Sequence, residues 1–242
     1  SMFSSLKQIR FDAGFQIQER QVAVFDVDRD EPVLGDGAAT VFYTKSTPIV
    51  DRDGDDTVAV ADVIVYVNGT AVTVSSIDAA QGKVTLAAAP ANGAIVTISY
   101  DWSPVDDTTV ETYRKWAYSR VVSALSRVYV IPVDDATINP DFDASQAEDY
   151  LALCEVTIAA GKLLQIVYTE ENDGFNKQGI AKVQAGMNML TDIMKNQVQL
   201  FDSEYIELTR KPTHDPVGFP NVDDNSSDVF DNGYKFPVNK QL

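Results

Sequence analysis

Apolar residues recur along this chain with two different periods, and the change of period divides it. Val110, Tyr113, Ala117, Val121, Ala124, Leu125 and Val128 fall at helical spacing, one stripe along roughly five turns. Thr108 and Glu111 form a T-x-x-E capping box that predicts the start of this helix. Pro132 lacks an N–H and restricts Ile131, which predicts an end by Tyr129 or Val130. After a linker, Ser145 and Glu148 open a second helix with apolar positions at Leu151, Cys154, Ile158, Leu163 and Val167. Ala159, Ala160 and Gly161 leave room for a close neighbour. Apolar residues nearly surround this segment, the pattern of a buried central helix. Asn172, Asp173 and Gly174 predict its end. A third helix is expected from about Lys177 to Phe201, through Ile180, Val183, Met187, Leu190, Met194, Val198 and Phe201.

Upstream the period drops to two. Thr40–Tyr43, Val63–Val67, Ala71–Ser75, Val84–Leu86 and Ile95–Tyr100 are rich in Val, Ile, Thr and Tyr and read as strands, as does 21–27. Asn68-Gly69 is the dipeptide of a type I′ hairpin, whose two central residues both need positive φ. Gln81-Gly82 and Asn92-Gly93 mark further reversals. Such strands bury their apolar side against another sheet. The fold class expected is α+β: a three-helix core, a small antiparallel β-sandwich or barrel, and an extended C-terminal arm. The boundaries fall at 2–38 (a segment with a strand, joining the core), 39–104 (β-domain), 105–202 (helical core) and 203–242 (arm). In the arm, prolines and scattered Asp and Asn separate single aromatics, among them Phe219, Phe230, Tyr234 and Phe236. A disordered acidic tail carries fewer aromatics. The pattern suits an arm anchoring on another subunit, or a tail wrapping its own domain.

Composition then narrows the function. At 242 residues, with 36 acidic and 19 basic side chains, the chain carries a formal charge of −17. Binding held by phosphate contacts needs Lys and Arg to release counterions, so this balance argues against a nucleic-acid binder. It suits solubility, adaptation to high salt, or a surface that must not adhere to DNA. Ser1-Met2 resembles a tag-cleavage remnant, and no apolar run of eighteen residues or signal-peptide pattern occurs, which predicts a soluble protein without a membrane span. The one cysteine, Cys154, has no second cysteine to pair with and reads as a small core residue.

The sharpest local motif runs from Asp51 to Asp62, DRDGDDTVAVAD, and resembles the twelve-residue calcium loop of EF-hand and dockerin proteins. A hard cation takes six to eight oxygens, which alternate residues of a tight loop can supply. By that spacing Asp51, Asp53 and Asp55 are side-chain ligands, Thr57 gives a carbonyl, and Asp62 is the closing carboxylate. Asp56 stands where the loop has Gly and must bear left-handed backbone; Ala59 leaves its corner to water. The bland alternative is an acidic surface turn.

Catalytic signatures are weak. The one histidine, His214, sits beside Asp215 and Pro216, no Gly-rich phosphate loop precedes a helix, and among 36 carboxylates a chance pair is expected, so no enzyme is predicted. Arg114, Lys115, Arg120 and Arg127 concentrate positive charge on the first long helix. They either pair with nearby acids or form a docking surface for an acidic neighbour.

One resemblance draws these readings together. The run Val110-Glu111-Thr112-Tyr113, then Val121 through Tyr129-Val130-Ile131-Pro132, Asn139-Pro140, and Ala159-Ala160-Gly161-Lys162-Leu163-Leu164 is similar to head–tail connector (adaptor) proteins of tailed bacteriophages and archaeal tailed viruses. It spans residues 108 to about 201 and consists of packing motifs. The resemblance implies a virion structural protein in the neck. It would form a ring, typically dodecameric, under the portal protein, with DNA passing through without sequence-specific binding. An arm would grip the portal, a tail protein or the next ring. The β-domain departs from the plainest adaptors. A carbohydrate- or surface-binding β-module on a helical stalk, from a virus fibre or a cell-surface protein, is the alternative.

Overall fold

The structure, a computed structural model of the chain, describes residues 2–26, 31–168 and 173–212. It is α+β, with four helices and two antiparallel sheets among those residues. The helices are α1 (Leu6–Ala13), α2 (Asp107–Leu125), α3 (Gln146–Val167) and α4 (Asp173–Met194). The strands are β1 (Gln18–Ala23), β2 (Phe25–Asp26), β3 (Glu31–Pro32), β4 (Val41–Tyr43), β5 (Ile49–Val50), β6 (Ile64–Val67), β7 (Thr70–Val72), β8 (Val74–Asp78), β9 (Lys83–Leu86) and β10 (Val96–Trp102).

One sheet runs β1-β10-β6-β7 with β5 also on β10; the other runs β3-β2-β4-β9-β8. Val65, Val96, Ile98 and Tyr100 of the first share one apolar core with Phe42, Val84 and Leu86 of the second, a small two-sheet sandwich. The β6–β7 hairpin turns on Asn68 (φ 48°) and Gly69 (φ 82°), both left-handed as a type I′ turn requires. The β-unit reaches further back than position 39, because β1 pairs along β10 from Gln18 opposite Trp102 to Ala23 opposite Thr97.

The helical unit holds a fourth helix that the apolar pattern did not announce. α1 is short and half polar. Ser5 caps it in a box with Gln8, Gly14 closes it in left-handed backbone, and Leu6 and Ile9 join the core of α2, α3 and α4. The cap of α2 is Asp106, whose carboxylate accepts the Thr109 N–H at 2.7 Å; Thr108, the expected cap, lies in the first turn. Ser145 caps α3 by accepting the Glu148 N–H at 3.0 Å, and Glu148 reaches back to the Ala144 N–H at 2.5 Å. α3 ends at Val167, while Asp173 and Gly174, expected to stop it, begin α4; Asn172 lies outside the described residues. α4 stops at Met194, seven residues short of Phe201.

Cys154 is fully buried as expected, and burial pushes its thiol up to about 12. By length and composition α3 is apolar enough to cross a membrane, yet half of that stretch is buried in this fold among α1, α2 and α4. The first ten residues of the expected arm are fastened to this unit. Leu208 is buried, Val130 N–H donates to the Thr209 carbonyl at 2.9 Å, and Asn139 Oδ1 accepts the Thr209 N–H at 2.9 Å. The helical unit therefore extends past 202 to 212.

Candidate functional site

The acidic turn is built by its own carboxylates. Asp51 accepts the N–H groups of Gly54 and Asp56, both at 2.8 Å. Asp53 accepts from Asp55 at 3.2 Å, and Asp55 from Thr57 at 2.8 Å. Short acidic side chains bonding to backbone two or three residues on curl the chain tightly. One carboxylate oxygen from each of Asp51, Asp53 and Asp55 then lies within 4.8 Å of the other two. Three oxygens so grouped are a partial shell for a hard cation, to be completed by backbone carbonyls or water. Asp56 carries φ 64°, so the loop's sixth position does take left-handed backbone with an Asp in place of Gly. The Asp55 N–H bond favours the Asp53 anion, but desolvation and the charges of Asp55, Asp62 and Asp51 outweigh it and raise its carboxyl above the usual range.

Asp62, expected as the closing ligand, is fully buried and otherwise engaged. Its Oδ1 accepts from Arg52 N–H (2.7 Å) and Asp53 N–H (3.3 Å), and its Oδ2 from Ala59 N–H (2.7 Å). It closes the loop from inside. Thr57 enters the loop's bonding through its N–H.

Charged groups tie this loop to the helices. Asp56 accepts the Leu6 N–H at the start of α1 (3.3 Å) and pairs with Arg114 at 2.5 Å. Arg114 also pairs with Glu111 (2.6 Å) and donates to the Ser4 carbonyl (2.9 Å). Burial lowers its pKa, and the bonds to Glu111 and Asp56 more than reverse that. Asp51 N–H donates to Asp107 (2.9 Å), which pairs with buried Arg10 at 2.5 Å; Arg10 donates to the Val105 carbonyl at 2.9 Å. Arg114, expected either to pair with nearby acids or to lie on a docking face, takes the first course and ties loop, N-terminal segment and α2 together. Glu111 stands one turn away at helical spacing, but Asp56 and Ser4 lie far away in sequence, and helical spacing alone gave no sign of them.

Lys115 and Arg120 of α2, and Arg127 just past its end, stay exposed. Lys115 pairs with Glu111 at 3.2 Å. Arg120 lies over the Trp116 ring at 5.2 Å, with Lys162 at 5.8 Å from the same ring, and Arg127 borders a cavity with Arg210 and Lys211. Phe219, Phe230, Tyr234, Phe236 and His214 lie outside the described residues.

Sequence reading passed over Glu155, in mid-α3. It is fully buried, and Oε2 accepts the Phe3 N–H at 2.9 Å while Oε1 has no hydrogen-bond partner among the described residues. Burial pushes its carboxyl up to about 7, against the pull of the Phe3 N–H and Arg114. A cavity of about 730 Å³ on the β-unit is lined by Val67, Ala71, Val72, Thr73 and 87–91, small side chains without the converging polar groups of a ligand pocket. No protein-family model, no curated protein and no solved structure matches this chain.

Proposed function

We propose that this chain is a head–tail adaptor of a tailed virus. Copies form a ring in the virion neck, between the portal protein and a tail protein or the next ring, and DNA passes through the centre. One observation supports this above others: the residues that carry the resemblance are the packing residues of the helical unit. Tyr129 is buried with its hydroxyl accepting the Leu200 N–H at 3.2 Å, and Leu163, Leu164, Ala159, Ala160 and Gly161 are buried on α3. The net charge agrees with the role, because a carboxylate-lined conduit repels phosphate and lets a duplex slide without adhering.

The β-unit sits outside the ring. Residues 213–242, with Phe219, Phe230, Tyr234 and Phe236, are the arm that docks on the portal or the adjoining ring, and Lys115, Arg120 and Arg127 face an acidic neighbour. The loop of Asp51, Asp53 and Asp55 holds a structural calcium ion, which clamps the turn that Asp56 fastens to α1 and α2. Negative-stain imaging of the purified chain, alone and with the portal protein of the same virus, tests the role. Rings are expected in at least one sample; a chain that stays monomeric and ignores the portal overturns it. Calorimetry against a chelator-treated sample tests the ion, and the absence of binding at millimolar calcium removes it.

A further inference from the structure

We propose that the C-terminal arm is rooted on its own molecule, the Asp215 carboxylate seating in a basic cavity at the end of α2. Both partners belong to one chain, so the contact stands or falls apart from the ring reading. The cavity holds about 510 Å³, and Arg127, Asn196, Arg210, Lys211 and Pro212 line it. It is built on two short stretches held antiparallel. Lys211 N–H donates to the Val128 carbonyl and Val130 N–H to the Thr209 carbonyl, both at 2.9 Å, and Tyr129 and Arg210 bridge between them. Arg127 thus stands at the end of one stretch, with Arg210 and Lys211 on the other.

Three cations meet here in a chain of charge −17, and one of them is neutralised. Arg210 pairs with Glu207, through Nε at 2.5 Å, and also donates to Asn196. Lys211 Nζ donates to the Ser126 carbonyl at 2.6 Å, which satisfies a carbonyl at the end of α2 without cancelling the charge. Arg127 is exposed, and neither it nor Lys211 meets a carboxylate among the described residues. A guanidinium fork beside an open cavity suits a carboxylate held by two parallel bonds.

The occupant follows from where the chain goes. Pro212, the last described residue, itself lines the cavity, and residues 213–242 continue from it. Asp215, Asp223, Asp224, Asp228 and Asp231 all come before the next lysine, Lys235. Asp215 is three residues from Pro212, so it stays within about 10 Å of the cavity wall. Pro216 restricts Asp215 to extended backbone, which reduces the freedom lost on seating. Exposed ion pairs are weak between separate molecules, but so short a tether makes this one intramolecular at high effective concentration. Asp223 and Asp224 close a longer loop at greater entropic cost. With its root fixed, the arm sets out from the α2 end, and a neighbour's carboxylate gains Arg127 only by displacing Asp215.

The test places a nitroxide on Val217→Cys in the full chain and reads its mobility by electron paramagnetic resonance, with folding checked by circular dichroism. Cys154 is buried with its thiol pushed up to about 12, so the label goes to position 217. An immobilised label is expected in this parent. Arg127→Glu and Asp215→Lys should each lower the ratio of immobilised to mobile label roughly fivefold or more. The two together should restore it, and sodium chloride at about 1 M should free the parent's label. A parent label that is mobile throughout, immobilisation that survives either single substitution, or a paired exchange that restores nothing overturns the contact. Immobilisation regained on adding unlabelled parent to labelled Arg127→Glu puts Asp215 in a neighbouring copy's cavity, and overturns the contact within one chain. Rings, or their absence, in the imaging above decide the adaptor role separately.

Discussion

Arg114 and Lys115 are neighbours of the same charge with opposite consequences. Arg114 is buried and holds Asp56, Glu111 and the Ser4 carbonyl at once. Arg114→Ala leaves carboxylates and a carbonyl without their donor, and is expected to cost about 3 kcal/mol in urea unfolding. Lys115→Ala, at an exposed pair, should fall within about 0.5 kcal/mol of the parent. Glu155 imposes a pH dependence of known sign. Its carboxyl is raised from 4.5 to about 7 in the fold, so between those values the unfolded chain releases a proton that the folded one keeps. Stability contributed below pH 4.5 is then lost as pH rises through about 7, on the order of 3 kcal/mol. Glu155→Gln, whose amide oxygen can still accept the Phe3 N–H, should melt higher than the parent at pH 8 and flatten that slope. A parent whose melting temperature does not fall from pH 5 to 8 relative to the variant contradicts this.

The contact between α3 and α4 depends on two glycines that approach backbone to backbone. A methyl group on Gly161 would sit 2.7 Å from the Gly179 carbonyl oxygen, and one on Gly179 would sit 2.6 Å from that of Gly161. Alanine is the better helix former by about 1 kcal/mol, so in an open helix the exchange would stabilise. Here Gly161→Ala and Gly179→Ala are each expected to destabilise by roughly 1–3 kcal/mol, as overpacking does, read by thermal melting. The close approach at Gly161 was legible beforehand from the small-residue run on a helix apolar on nearly every side. So were the Asn68-Gly69 hairpin, the strong strands, and the left-handed Asp56 in the acidic turn. α1 was hidden because only four of its eight residues are buried, one of them Arg10, so its periodicity is faint. The 203–212 segment was hidden because its bonds run to 128–130 and 139–141, which no local pattern encodes. The bonds of Asp62 were hidden for a related reason, since spacing marks a carboxylate but not which N–H groups will claim it.

At the level of the whole molecule, a charge of −17 opposes compaction through self-repulsion. Raising sodium chloride to about 1 M shortens the screening length from roughly 10 Å to roughly 3 Å, so the melting temperature should climb with salt. A fall across that range would mean that the internal ties such as Arg114–Asp56 outweigh the repulsion. The β-unit leaves and rejoins the helical unit at one place. Phe15 and Val105 both lie in the helical core, and between them Gln18 stands opposite Trp102 in the β1–β10 ladder. The two crossing points are thus one strand spacing apart, on the order of 5 Å. A splice joining residue 17 to 103 through a pair of glycines would need no rearrangement of the helices, Arg114 keeping Glu111 and the Ser4 carbonyl after Asp56 has gone. Such a shortened chain should keep its helical circular dichroism. The sandwich is in this sense a cassette: evolution could add, exchange or discard it while the four-helix frame carried on unchanged, leaving that frame free to keep one role while its passenger took up another.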